Sequence, residues 1–497
     1  MTMLAEDMAM RLSALARAAG LAAPDRDPDV TGLTADSRTV KPGDLFAALP
    51  GTRTDGRAFI AGALAAGASA VLGAPGIEAG SAGAVVLEAA NPRRALALMA
   101  AAFYARQPDF VAGVTGTSGK SSTVAFARQI WTLLGYRAAS VGTLGIQAPE
   151  LDEAGSLTTP DPITLHHRLA GLVETSRVTH LAMEVSSHGL DQFRVDGVRF
   201  AAAAFTNLGH DHLDYHPTRD AYLATKMRLF GELLPAGGRA VLNADVPEFA
   251  ALRALAEARG QRILDYGRAA QAIRLEQIVR VPGGQRARLT VLGTAHDVTI
   301  PLIGAFQVEN ALAALALVLA SGAEPGAAVA ALARLAGVPG RLEAVGRING
   351  AEVIVDYAHK PEALEHALTA LRPHADGRLI VVFGCGGDRD TAKRPMMGAI
   401  AARLADRVIV TDDNPRSEDP AAIRAAILAA CPGADEIGDR ADAIATAIEQ
   451  AVPGDVILIA GKGHESGQTA GGVTRPFDDR DVARRAIADR KARLGNG

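Results

Sequence analysis

The sequence predicts an α/β protein of three domains: a smaller N-terminal α/β domain, a central parallel sheet with a small antiparallel insertion, and a C-terminal doubly wound, Rossmann-like sheet. Three observations predict it. From about Phe110 onward, short β-rich apolar runs alternate with alanine-rich helical segments, the arrangement that yields parallel sheets with helices on both faces. The alternation breaks at Gly337-Val-Pro-Gly340 and then restarts, because proline and paired glycines end a periodic series. At 497 residues the chain exceeds one core, and at ~150 residues per domain it divides into about three.

In chain order, the N-terminal domain takes residues 1–107. VTGLTADSRTVKPGDLFAAL leads to a helix near Arg57 to Ala66, and a second helix runs from Pro92 to Arg106. Gln107-Pro108 is a hinge candidate, since proline disfavours helix at the residue before it. The central domain, residues 108–338, places strands in FVAGVTG, THLAMEVSS, FAAAAFTNL and GRAVLNAD. Between Ile273 and Leu302 the pattern alternates around a Pro-Gly-Gly turn, which predicts antiparallel strands, and a helical stretch follows over 306–336. The C-terminal domain, residues 339–497, has strands in AEVIVDYA, RLIVVFGC, DRVIVTDD and DVILIAGKG, each followed by a helix-like segment.

Composition narrows the function classes. The chain is 48% hydrophobic and 21% charged, as in a soluble globular enzyme, and its formal net charge of −4 offers no global field for nucleic acid or an anionic membrane. Neither of the two cysteines, Cys385 and Cys431, lies in a C-x-x-C pair, which favours a reducing, cytoplasmic setting. The first residues carry scattered charges unlike a signal peptide, so no export is expected. The apolar run Ala311 to Ala320 is about half of the ~20 residues that a membrane span needs.

The stretch Gly113-Val-Thr-Gly-Thr-Ser-Gly-Lys-Ser-Ser122 comes close to a phosphate-binding loop but has Val114 where the common pattern has its first glycine. A strand ending near Val114 would hand over to a helix starting near Lys120. The amides of Gly116 to Ser121 would then converge on one anion, which a helix N-terminus favours. Lys120 adds a charge for the outer phosphates, and Ser121 or Ser122 a hydroxyl for magnesium. On this reading the central sheet is P-loop ATPase-like; the alternative is a glycine-rich strand-to-helix turn with an ordinary surface lysine.

Other polar groups stand where parallel strands end, at the edge that faces ligands. Glu184 follows the apolar run LAM and reads either as a magnesium ligand or as a solvated glutamate. His210-Asp-His-Leu-Asp-Tyr-His216 is rich in possible ligands and, with no cysteine nearby, suits magnesium with one histidine better than zinc, or else is a polar loop. Lys226 is by itself an ordinary helix lysine. Three loops of the last third, Gly384 to Asp390, Asp412 to Ser417 and Gly461 to Glu465, follow strands, so Arg389, Arg416 and Glu465 either meet around one small ligand or are exposed surface charges. Two guanidinium groups and a carboxylate there suit an amino acid.

Taken in order, TGTSGKSS, EVSSHGL, TNLGHDHLDYH, GRLEAV, DYAHKP, GCGGDRD, DNPR and GKGHE make the chain resemble the Mur ligases of bacterial cell-wall synthesis, from about Asp36 to the last helix. The resemblance implies a first domain for a uridine nucleotide, a central ATPase domain and a last domain that brings an amino acid. The family's TGTxGK loop is similar to Thr115 to Lys120, so Val114 is expected.

By resemblance, Gly116, Thr117, Ser118, Gly119, Lys120, Ser121 and Ser122 wrap the ATP phosphates, and Asn310, Arg341 and Asp356 complete the nucleotide site. Lys120, Glu184, His212 and Lys226 form the catalytic set, with Ser121, Glu184, His212 and Lys226 as metal ligands, the last as a carbamate formed with carbon dioxide. Ser37, Thr158, Thr159, Ser186, Gln192 and Arg194 match positions that bind the UDP-N-acetylmuramoyl dipeptide. Two positions depart from the pattern: Leu157 stands where the family has asparagine, and Gln307 where it often does. Arg389, Asp413, Asn414, Pro415, Arg416, Gly461 and Glu465 resemble a meso-diaminopimelate pocket, where Arg416 would pair with the second carboxylate that lysine lacks.

The expected chemistry is ATP- and Mg2+-dependent amide synthesis through an acyl phosphate, by a cytoplasmic monomer with no nucleic acid or membrane partner. A sister ligase adding lysine, or a folate polyglutamate ligase, is the nearest rival, and the DNPR run argues against both.

Overall fold

Asn91 opens the first long helix, Pro92–Tyr104, by accepting from the Arg94 N–H while a proline fills the first turn, where no amide is needed. This helix covers a four-stranded parallel sheet ordered Gly32–Thr34, Asp44–Ala48, Ala70–Gly73, Val85–Glu88. Leu45, Leu72, Leu96, Met99 and Phe103 form its core. The predicted helix near Arg57 is a 3-10 turn, Gly56–Phe59, running into the helix Ile60–Ala65. The computed structural model describes residues 9–51, 55–78, 85–153, 155, 157–209, 215–281 and 283–495.

The chain forms two compact units, one of Met1–Leu275, Thr290–Ala295 and Asn310–Ala331, the other of Glu276–Leu289, His296–Glu309 and Leu332–Gly497. In the first lies Gln107, the hinge candidate. Its amide is buried and bonded at both ends, donating to the Gly197 carbonyl at 2.9 Å and accepting from the Arg199 N–H at 2.9 Å. Nearby, Asp196 accepts from Arg94 at 3.1 Å and from Arg228 at 2.6 Å, so the helices Pro92–Tyr104 and Arg219–Arg228 share one buried carboxylate.

The central sheet runs Leu151–Glu153, Gly145–Ala148, Ala138–Gly142, His180–Glu184, Phe110–Thr115, Phe200–Phe205, Arg239–Asn243, Arg262–Gly267, Ile273–Val281, Gly284–Val291, Thr294–Ile300. From Ala138–Gly142 to Arg262–Gly267 all pairings are parallel. The three strands at the other edge, 138–153, were not foreseen: they are short, and only the first is fully buried. The foreseen insertion is present as three neighbouring strands. Leu292 and Gly293 both have positive φ, 48° and 85°, as a two-residue hairpin turn requires. The predicted helical stretch is two helices, Ala305–Ala320 and Pro325–Leu332.

In the second unit a sheet is ordered Glu343–Ile348, Ala351–Asp356, Val456–Ala460, Leu379–Phe383, Arg407–Val410, Asp435–Glu436, parallel except for its first pair. Leu364, Leu368 and Met397 pack on one face, and Ile444, Ile448 and Ile487 on the other, as a doubly wound sheet demands. One segment departs from strand-then-helix alternation. After Val456–Ala460 comes a hairpin, Gly467–Ala470 paired with Val473–Pro476, before the last helix.

Candidate active site

Parallel register brings the central groups together. Glu184 pairs with Val114, Phe205 with Thr115 and Met183 with Val141, so four strands end on one line. At that line Gly116 and Gly119 take positive φ, 146° and 85°, and the helix Lys120–Leu133 begins. A side chain at Gly116 would collide with the Thr206 hydroxyl, and one at Gly119 with Asn310, which puts Asn310 against the loop. The loop is latched by the segment after Phe200–Phe205. Thr206 Oγ1 donates to the Ser118 carbonyl at 2.6 Å, the Thr117 N–H donates to the Asn207 carbonyl at 2.9 Å, and the Ser118 N–H donates to Asn207 Oδ1 at 2.9 Å.

Two lysines meet on this loop. Lys120 Nζ donates to the carbonyls of Gly116 at 2.9 Å and Thr117 at 2.8 Å, and Lys226 Nζ donates to the same Gly116 carbonyl at 2.9 Å. Lys226 is 1% exposed and its ammonium lies 4.3 Å from the centre of the Tyr222 ring, whose hydroxyl is 3.2 Å from Thr117 Oγ1. Ser121 and Ser122 are buried in the first turn of the helix.

Glu184 is 1% exposed, with its carboxylate accepting from the Thr143 N–H at 2.8 Å and the Thr143 hydroxyl at 3.3 Å. Gly142 makes room for it: a Cβ there would lie 2.6 Å from the carboxyl carbon of Glu184. From Thr143 a continuous network leads to the residues foreseen for the UDP substrate. Thr143 Oγ1 is 3.0 Å from Thr158 Oγ1, and Thr159 Oγ1 is 3.1 Å from both the Glu184 carbonyl and Ser186 Oγ. Arg194 donates to the Thr159 carbonyl at 2.8 Å and to Gln192 Oε1 at 2.7 Å. Ser37 opens a 3-10 turn in the N-terminal domain, and among the described residues no bond joins it to this network. Leu157 is half exposed. His212, expected as a metal ligand, lies outside the described residues.

In the second unit, Asp356 accepts from the Leu342 N–H at 2.7 Å, and the Arg341 guanidinium stands 4.8 Å over the Tyr357 ring. Burial raises the Asp356 carboxyl to about 6, against the opposing pull of Arg341. Burial likewise lowers His359 and His464 to about 4, which leaves both neutral near pH 7. The departure at Gln307 has a local use: buried, it donates to the Arg341 carbonyl at 2.8 Å.

The amino-acid loops form a second cluster. Asn414 Nδ2 donates to Glu465 Oε2 at 2.9 Å, and Gly461, at φ 120°, admits the Asp413 carboxylate at 2.5 Å from where a Cβ would stand. Arg416 takes a left-handed φ of 53° and donates through Nη1 to the Gly387 carbonyl at 2.7 Å. The unforeseen hairpin holds that backbone. The Arg416 N–H donates to the Thr469 carbonyl at 2.9 Å, the Gly471 N–H donates to the Arg416 carbonyl at 2.7 Å, and Gln468 donates to the Asp413 carbonyl at 2.8 Å. Pro415 is buried in the same loop. Arg389 is exposed, and among the described residues no bond draws it to Arg416 or Glu465.

Sequence reasoning passed over Thr143, Thr206, Asn207 and Tyr222. Thr206 and Asn207 begin the TNLGHDHLDYH run, so a signal was present; Thr143 follows an unforeseen strand and had none.

The model of the Mur ligase middle domain matches residues 114–318, that of the Mur ligase glutamate ligase domain 340–463, and that of the Mur ligase family catalytic domain 29–104. A UDP-N-acetylmuramoyl-L-alanyl-D-glutamate--2,6-diaminopimelate ligase of Rhizobium meliloti (strain 1021) is 54% identical over 460 residues, 92% of this chain and 94% of the relative. A solved structure of an enzyme with that same name is 33% identical with a TM-score of 0.73, covering 97% of this chain and 100% of its own. A MurF ligase from Thermotoga maritima in complex with ADP shares the fold, at 20% identity and a TM-score of 0.61 over 94% of this chain and 98% of its own.

Proposed function

The chain belongs to the Mur ligase family, and from that membership we propose how its residues divide the work. It is an ATP-dependent ligase of peptidoglycan precursor synthesis, which adds diaminopimelate to UDP-N-acetylmuramoyl-L-alanyl-D-glutamate. The finer account follows from the two loop clusters.

At the central cluster, the free carboxylate of the D-glutamyl end attacks the γ-phosphorus of ATP. The bond to the bridging oxygen breaks, ADP leaves, and an acyl phosphate remains. An amine of diaminopimelate then attacks the acyl carbon, phosphate departs, and loss of a proton leaves the amide. The loop amides from Gly116 to Ser122 would cradle the phosphates, and Lys120, released from the loop carbonyls, would follow charge onto the transferred group. Thr158, Thr159, Ser186, Gln192 and Arg194 would hold the UDP substrate beside Glu184, an arrangement supported by their shared network. Asn310, Arg341 and Asp356 are assigned to the nucleotide.

The donors in place suit magnesium: a buried carboxylate at Glu184 and a hydroxyl at Ser121 are hard oxygens. Magnesium there would share its shell with phosphate oxygens and water. Magnesium bound there would supply positive charge for the phosphoryl transfer. Lys226 fits a carbamate in one respect: the carbamate nitrogen keeps an N–H, so its bond to the Gly116 carbonyl can persist while a carboxylate is added.

The observation that carries the choice of amino acid is the joining of DNPR to Glu465 through Asn414, with Arg416 held in the same loop. Glu465 would receive an ammonium and Arg416 the distal carboxylate of meso-diaminopimelate; Asp413, Pro415, Gly461 and Arg389 are assigned to the same pocket. Phosphate release from ATP, magnesium and the UDP-dipeptide, compared with diaminopimelate, lysine or no amino acid, tests it. Turnover with diaminopimelate only is expected, and equal turnover with lysine would overturn the assigned selectivity.

A further inference from the structure

Lys462 is a buried charge that the assignments above leave without a role. It is 0% exposed, and its Nζ donates to Asn414 Oδ1 at 3.1 Å and stands 3.4 Å from Glu465 Oε2. A buried ammonium is costly unless paired, and here both partners belong to the amino-acid loops. The Asn414 amide can face only one way. Its Oδ1 accepts from Lys462 and also from the Thr469 N–H at 2.9 Å, so its Nδ2 is turned to donate to Glu465 at 2.9 Å. A flipped amide would set donors against donors. The backbone keeps the ammonium beneath the carboxylate, since the Glu465 N–H donates to the Lys462 carbonyl at 2.9 Å.

We propose that Lys462 is a positioning residue for the amino-acid site, which aims the Glu465 carboxylate at the incoming ammonium by fixing the Asn414 amide and sharing the Glu465 charge. This rests on the reading of Arg416 and Glu465 as the amino-acid site. Lys462 itself touches no substrate; it acts through the two groups above it.

The test is steady-state phosphate release by the full chain, with KM measured separately for diaminopimelate, ATP and the UDP-dipeptide. Lys462→Met should raise the KM for diaminopimelate by about tenfold or more and leave the other two within about twofold. Lys462→Arg, which keeps the charge, should recover part of the loss. In a double-mutant cycle with Glu465→Gln, the paired variant should be little worse than the worse single variant, because both act on one contact. An unchanged diaminopimelate KM in Lys462→Met, an equal rise for all three substrates, or full additivity overturns the proposal. If Lys462→Met gives no cooperative melt, Asn414→Asp takes its place: it keeps the acceptor for Lys462, removes the donor to Glu465, and should show the same selective rise. An unchanged KM there also overturns the proposal. If Arg416→Ala and Glu465→Gln leave diaminopimelate KM unaltered, the site reading fails instead; if both raise it and Lys462→Met does not, only the role of Lys462 fails.

Discussion

Lys226 and Lys120 donate to one carbonyl oxygen, that of Gly116, although 110 residues separate Lys226 from that glycine. Lys120 brings positive charge to the assigned triphosphate, and Lys226, as the assigned carbamate, would add an anionic ligand for magnesium beside it. Lys226→Ala should therefore lower kcat by about three orders of magnitude while UDP-substrate affinity, measured by calorimetry, stays close to wild type. An active Ala variant would remove Lys226 and its carbamate from the mechanism.

Gly142→Ala tests the seat of Glu184. The added methyl would lie 2.5 Å from the Glu184 Cγ and 2.6 Å from its carboxyl carbon, so the Glu184 side chain would have to shift. A fall in kcat of about 10- to 100-fold, with a higher magnesium requirement, is expected. Gly62→Ala serves as the control: it lies in a helix with open space around it, and should be neutral or stabilise by about 0.5 to 1 kcal/mol.

Arg416→Ala should raise the KM for diaminopimelate by about 100-fold and leave those for ATP and UDP-dipeptide within about twofold. Steady-state kinetics separate the three. Equal loss on all would point to a folding defect.

The C-terminal domain carries opposing titrations in one pH window. Asp356 is raised from 3.8 to about 6, so the folded chain holds an extra proton between those values; this group adds stability as pH falls and removes it as pH rises through about 6. His359 and His464 are lowered from 6.5 to about 4, so the unfolded chain binds more protons, and stability is lost as pH falls through that range. The histidines outnumber the aspartate, and the net expectation is loss on acidification. Asp356→Asn, which deletes a compensating contribution of about 3 kcal/mol, should steepen the fall of the C-terminal melting transition between about pH 6.5 and pH 4.

Asp479→Asn tests a pair with no exposure on either side. Arg440 donates to Asp479 at 2.7 Å and to the Ala460 carbonyl at 2.9 Å, which ties the last helix to a strand end beneath the amino-acid loops. Removing one partner of such a pair costs about 3 to 5 kcal/mol, and the C-terminal transition should fall by roughly 10 °C. A melting curve that matches wild type would show that the pair is compensated elsewhere.

The two major sheets were legible because their central strands are continuous apolar runs, as in FVAGVT and LIVVF, and both occur as strands. Ala138–Gly142 and the short strands after it were not, since AASVG has little β-branched bulk and is buried by neighbours rather than by its own pattern. The hairpin Gly467–Pro476 also escaped: its residues are mostly exposed, and its use lies in backbone bonds to Arg416 that no side-chain pattern records. At the site, Lys120 and Glu184 could be singled out from their strand ends. Lys226 could be reached only through resemblance, because a helix lysine looks alike whether its ammonium meets solvent or a buried carbonyl.

Chain order alone thus specifies which chemical groups stand at strand ends, where the two wound series begin, and which family the motifs compose, because hydrophobic period and turn residues are local properties. Folding decides what those groups face: that Thr206 latches the phosphate loop, that Gly142 vacates the space filled by Glu184, and that Lys462 turns the Asn414 amide toward Glu465. These are contacts between segments far apart in sequence, and they exist only once parallel register and close packing have brought the strand ends onto one line.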